Sequence, residues 1–215
     1  MPPARITFDD LAASDDLAAQ FRSPAVELLD GRMVRQPLPS AAVVAAVVRL
    51  ASALDERATG LRVGVRDAVA APPSDLLRPE VSVARPMASY ARWPAPPAHV
   101  LALAVLVVDD EDDVSERLRR YALAGVREVW VLEAAAATGT RYAAPHGVRY
   151  TRRDLLLPGE PCAPDDVPWL HVVPVPRTRV ITVPDQPSSS SISNDSPSTS
   201  ITSPGTSRRL RRVST

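Results

Sequence analysis

The sequence predicts a mixed α/β fold, a central β-sheet flanked by helices, with a disordered C-terminal tail behind it. Three observations carry this. Val100 to Val108 is a continuous apolar run, the pattern of a strand buried on both faces. Helix-like and strand-like segments interleave as far as Pro176. From Pro184 onward Ser, Thr and Pro dominate, and too little apolar surface remains to offset the entropy of ordering. The expected organisation is an N-terminal helix and lead-in over 1–20, one α/β domain over 21–176, and a linker with a disordered tail over 177–215.

The elements follow in order. Thr7-Phe8-Asp9-Asp10 reads as an acidic capping box that opens a short helix. Val26, Leu28 and Leu29, then Asp30-Gly31, then Met33-Val34 read as a hairpin with a two-residue turn. Ser40 to Arg57 is a helix with Ser40 as N-cap, an apolar stripe at Val44, Val47, Val48, Ala51 and Leu54, and Gly60 as its stop. Leu61 to Val69 alternates as a strand and breaks at Ala71-Pro72-Pro73-Ser74. A strand follows over Pro79 to Val83, then a Pro-rich loop over Arg85 to Pro97, then the buried run. Five acids, Asp109 to Asp113, lead into an amphipathic helix over Val114 to Ala124 that stops at Gly125. Glu128 to Leu132 is the next strand. Shorter strands are expected over Arg141 to Ala143, Gly147 to Thr151 and Leu170 to Pro174.

Composition removes several chemistries. All 25 basic residues are Arg, so no Lys can act as general base, Schiff-base former or phosphate ligand. With no Lys and no Gly-rich loop, a Walker motif is excluded. Cys162 is the single cysteine, which rules out a disulfide framework within the chain. His99, His146 and His171 lack metal-ligand spacing. The net charge is zero, so no global field advertises a polyanionic partner. The tail's Arg208, Arg209, Arg211 and Arg212 outnumber Asp185 and Asp195, enough for a weak, salt-sensitive attraction. No signal core and no membrane-length apolar run is present, and the expectation is a cytoplasmic protein without a membrane partner.

Three segments carry a resemblance. Val26-Glu27-Leu28-Leu29-Asp30-Gly31 places an acid before an apolar pair and Asp-Gly. Arg78-Pro79-Glu80-Val81 resembles a Pro-Asp strand. The most specific is Glu116 to Trp130, a helix ending Tyr-Ala-Leu-Ala-Gly-Val before Glu-Val-Trp. Together they resemble the Uma-two group of restriction endonucleases on the PD-(D/E)XK fold, over roughly Ile6 to Pro176.

That resemblance implies Mg²⁺-dependent hydrolysis of DNA phosphodiesters. Mg²⁺ takes carboxylate oxygens and waters, and a nearby cation stabilises the developing charge. Carried over residue by residue, the implied catalytic set is Glu27, Glu80, Asp113 and Arg117, the last standing where the family has Lys. The family's buried-strand acid falls at Leu103 by counting back from Tyr121. The Ser-Pro-Ser that follows is replaced by Val107-Val108-Asp109, and a His expected near Ala41 is absent. The expectation is a nuclease-like scaffold with impaired or lost activity. A migrated metal site on Glu80, Asp109 and Asp110 is the alternative within the enzyme reading. An inactive module that binds nucleic acid or protein is the alternative outside it, and a homodimer is left open. The acidic run also reads simply as a solvated cap for the following helix, and Tyr121 and Trp130 as core residues.

Overall fold

Thr7 opens the first helix as its sequence predicts: its N–H donates to Asp10 Oδ2 at 2.7 Å, and Asp10 N–H donates to Thr7 Oγ1 at 3.2 Å. The computed structural model describes residues 5–87, 95–109 and 114–176. Val180–Thr215, a separate unit from Met1–Arg179, lies outside the described residues, and with it the expected tail.

Helix α1 (Phe8–Ala13) is followed by α2 (Asp15–Gln20), capped by Ser14. Strands β1 (Val26–Leu29) and β2 (Arg32–Arg35) form the expected hairpin. Asp30 and Gly31 both take positive φ, 52° and 70°, as a two-residue hairpin turn requires. A Cβ on Gly31 would stand 2.7 Å from Arg5 Cβ, so the close approach of the chain's start also demands glycine there.

Helix α3 (Ala41–Asp55) is capped by Ser40. Its buried stripe is Val43, Val47, Leu50 and Leu54. The predicted stripe was turned by about one residue. Val44 and Val48 are 45% and 59% exposed. Valine and alanine occur all round this helix, so apolar periodicity alone could not fix its phase.

The predicted strand from Leu61 to Val69 is two strands. β3 (Arg62–Val65) and β4 (Val69–Ala71) belong to different sheets. The chain turns at Arg66, which has φ 52° and donates its N–H to the Glu80 carbonyl. β5 (Asp75–Leu77), behind Pro72-Pro73, is only three residues long and was not predicted. β6 (Val81–Ala84) and β7 (Leu101–Val108) match expectation, and all eight β7 residues are buried. Residues 88–94 of the predicted loop lie outside the described residues, and 98–100 form one 3-10 turn. α4 (Ser115–Leu123) leads to β8 (Glu128–Glu133). β9 (Thr138–His146) and β10 (Arg149–Leu156) are longer than predicted. Near Leu170, only a bridge between Val172 and Cys162 is present.

Six strands form one sheet in the order β10-β9-β8-β7-β6-β3, and four form another in the order β2-β1-β5-β4. In the larger sheet, β7 and β8 are parallel and every other neighbour is antiparallel. α4 connects the parallel pair, as parallel strands require a crossover. Strand alternation divides β7 between two cores. Leu103, Val105 and Val107 pack with Val43, Val47, Leu50 and Leu54 of α3. Ala104, Leu106 and Val108 pack with Tyr121 and Val126 on the α4 side. Among the described residues, no helix is long and apolar enough to cross a membrane.

Candidate active site

Glu27, Glu80 and Arg117 meet where the hairpin, the start of β6 and the first turn of α4 converge. β1 alternates, and Glu27 lies 1% exposed between Val26 and Leu28 of the core around α1 and α2. A carboxylate buried in this way needs partners. Its Oε1 accepts the Arg78 N–H at 2.7 Å, and its Oε2 accepts from Gln36 Nε2. Glu80, 5% exposed, accepts the Val107 N–H at 3.2 Å through Oε2. Arg117 Nη2 lies 3.2 Å and 3.3 Å from the two Glu80 oxygens and 3.9 Å from Glu27 Oε1, and it donates to the Arg78 carbonyl at 3.0 Å. Arg66 Nη2 is 3.8 Å from Glu80 Oε1.

Burial pushes the Glu27 carboxyl above its ordinary range, opposed by Arg117 and the Arg78 N–H. Burial also works against the Arg117 charge, but Glu80, Tyr121 and Glu27 outweigh it and hold the guanidinium more firmly protonated than usual. Burial raises the Tyr121 hydroxyl well above its usual range. Among the described residues that hydroxyl has no hydrogen-bond partner, nor do Nε of Arg66 and Nε of Arg117. Two guanidinium groups, of Arg66 and Arg117, therefore stand against two carboxylates, with the Arg78 main-chain N–H as a further donor.

The structure brings together Glu27, Glu80 and Arg117 of the predicted set. Asp109 Oδ1 accepts from the Ser40 hydroxyl at 2.9 Å, at the N-cap of α3. Asp110 and Asp113 lie outside the described residues. Leu103 faces the α3 core, whereas Glu80 reaches Arg117 on the α4 side. The β7 positions on that side are Ala104, Leu106 and Val108. Ser82 pairs with Ala104 and Val81 with Val105, which sets Glu80 beside Leu106. The count from Tyr121 crosses the acidic loop, and one residue of difference there exchanges the two faces.

Four participants were not predicted as site residues: Arg66, Arg78, Gln36 and Tyr121. Arg78 had the clearest available signal, an arginine directly before Pro79-Glu80 in a segment otherwise apolar. It is 6% exposed, and its guanidinium donates to the carbonyls of Val26 and Arg66 at 2.8 Å each and to that of Phe21. Tyr121 and Trp130 are both fully buried, as core residues. Trp130 Nε1 donates to Glu128, a third buried carboxylate that also binds Arg141 and the Asp165 N–H. That network ties the chain after β10 to the larger sheet and is structural.

The residues around Glu27 and Glu80 do not fit Mg²⁺. Mg²⁺ keeps several waters in its shell, and carboxylates 1% and 5% exposed leave them no space. Arg117 already occupies the oxygens a metal would use. Among the described residues, no group of three or more His, Cys, Asp or Glu is placed to hold an ion.

Known proteins accord with this architecture. A family model described as "Putative restriction endonuclease" matches residues 9–175. A crystal structure described as a putative nuclease belonging to DUF820, from Anabaena variabilis, is similar in fold. It has a TM-score of 0.58 at 14% identity, covering 78% of this chain and 94% of that one. No curated protein matches the chain. With the family model spanning nearly all the described residues, from α1 to the segment after β10, the chain belongs to the Uma2 family of restriction-endonuclease-like proteins.

Proposed function

We propose that this chain carries a nuclease scaffold for DNA phosphodiesters on which the metal-dependent hydrolytic step is impaired or lost. The observation that supports this most is the surface of β7 beside Glu80, where Ala104 and Leu106 stand and no acid does. Hydrolysis of a phosphodiester at neutral pH needs a cation to activate water and to hold the charge that develops on the phosphoryl oxygens. Two buried carboxylates bound to arginines leave no oxygen for that task. The Arg117 guanidinium, which could otherwise neutralise a phosphate, is turned onto Glu80. Its ionisation is permanent, so it cannot serve as a base.

The test is cleavage of supercoiled plasmid and of short duplexes in Mg²⁺ and in Mn²⁺, with wild type beside Glu80→Ala. The expected result is background nicking that is the same for both proteins. Cleavage by wild type that Glu80→Ala abolishes would overturn the reading. DNA retained on a filter at low salt without cleavage would identify the scaffold as a binding module.

A further inference from the structure

Helix α3 packs one face into the core and turns a nearly uncharged face outward. Along that outer stripe Ala41, Val44, Ala45, Val48, Ser52 and Asp55 are exposed, Val44 to 45% and Val48 to 59%. From Ala41 to Val48 the helix has no polar side chain. Its one cation, Arg49, is turned aside. Nη1 and Nη2 donate to the Val173 and Pro174 carbonyls at 3.3 and 3.0 Å. The segment that Arg49 fastens beside α3 adds Val173, itself 38% exposed, and Leu38, just before the N-cap, is 90% exposed. A surface helix ordinarily carries charged and polar residues on its outer face. Apolar side chains gathered there instead mark a surface that another molecule covers.

We propose that the outer face of α3 pairs with the same face of a second copy of this chain, antiparallel about a two-fold axis at Val48. The stripe is its own complement, as a two-fold contact requires. Val48 stands midway between Ala41 and Asp55, so an axis there sets Val44 against Ser52 of the partner subunit, bulk against a small side chain. No like charges meet in this register. The ends are complementary in charge. The exposed Asp55 falls at the N-terminal turn of the partner's α3, where the helix dipole favours an acid, and the axis makes that contact twice. The chain's formal net charge is zero, so two copies approach without repulsion, whereas a face without cations gives a polyanion no hold. A stable dimer takes roughly 800 Å² from each partner. One face of a 15-residue helix is too small to supply that alone, so the contact takes in Leu38 and Val173 as well. The pairing is independent of whether the Glu80 site cleaves DNA.

The experiment is sedimentation velocity on the full chain, from about 1 to about 100 μM, for wild type, Val48→Arg and Asp55→Arg. Wild type is expected to reach twice the chain mass of 23.1 kDa at the upper end. Val48→Arg brings two guanidinium groups together on the axis and is expected to stay a monomer throughout. Its circular-dichroism melt should match that of dilute wild type, because the Val48 side chain is exposed in the single chain. Asp55→Arg should weaken the dimer about threefold to tenfold. A cross-link gives the register. With Cys162→Ser as background, Val48→Cys should link two copies under mild oxidation, and Leu123→Cys, exposed on α4, should not. Wild type that remains a monomer at the highest concentration overturns the inference, as does a dimer that Val48→Arg leaves intact. If Val48→Arg does not fold, the cross-link decides, and a Val48→Cys chain that fails to link counts against the pairing in the same way.

Discussion

Arg78→Ala is expected to destabilise the protein by about 3–5 kcal/mol, a large part of the stability of an ordinary domain. The guanidinium joins three segments that are distant in sequence: the residue after α2 through the Phe21 carbonyl, the start of β1 through Val26, and the turn after β3 through Arg66. Alanine leaves these carbonyls without their donor, at about 1–3 kcal/mol for each that stays buried and unsatisfied. The main-chain N–H of residue 78 remains, so Glu27 keeps that bond. Arg78→Lys should recover little, because one ammonium cannot reproduce three diverging N–H directions. Urea unfolding of the three proteins measures this. A loss under about 1 kcal/mol for alanine, or full recovery by lysine, would show that the carbonyls find other partners.

Leu103→Glu should cost a similar amount, about 3–5 kcal/mol, and create no metal site. Leu103 is fully buried among Val43, Val47, Leu50 and Leu54 of α3 and Val83, Val105 and Trp130 of the sheet. No cation stands among these side chains and the Trp130 N–H already donates to Glu128, so the new acid would take up a proton and still leave a polar group in an apolar core. Denaturant unfolding gives the loss, and Mn²⁺ titration of the variant tests the site. A small loss accompanied by Mn²⁺ binding would mean that position 103 does face Glu80 and that the assignment of β7 faces is wrong.

These two positions show what the sequence carried and what it could not. β7 was legible because eight apolar residues in succession leave a buried strand few alternatives. α4 and β8 were legible from a segment with specific residues at fixed spacing, and the capping box at Thr7 from local chemistry alone. Glu27, Glu80 and Arg117 were recognised from short motifs, and all three come together. The face of Leu103 was not legible, because a count across an acidic loop is uncertain by one residue and strand periodicity is two. The phase of α3 failed for a related reason: with Val and Ala all round the helix, neighbouring stripes look alike. The break at Arg66 hid inside an alternating pattern, since one residue at positive φ leaves no compositional trace. The arginine contacts that close the site are long-range, and no spacing rule reaches from Arg78 to Phe21 or from Arg117 to Glu27.

In the proposed function, arginine holds the Glu27 and Glu80 carboxylates and leaves no place for a metal. Calorimetric titration of Mg²⁺ into the wild-type protein, beside Glu80→Ala, tests it most directly. No saturable heat is expected at millimolar Mg²⁺ for either protein. Saturable one-site binding by wild type that Glu80→Ala abolishes would contradict it.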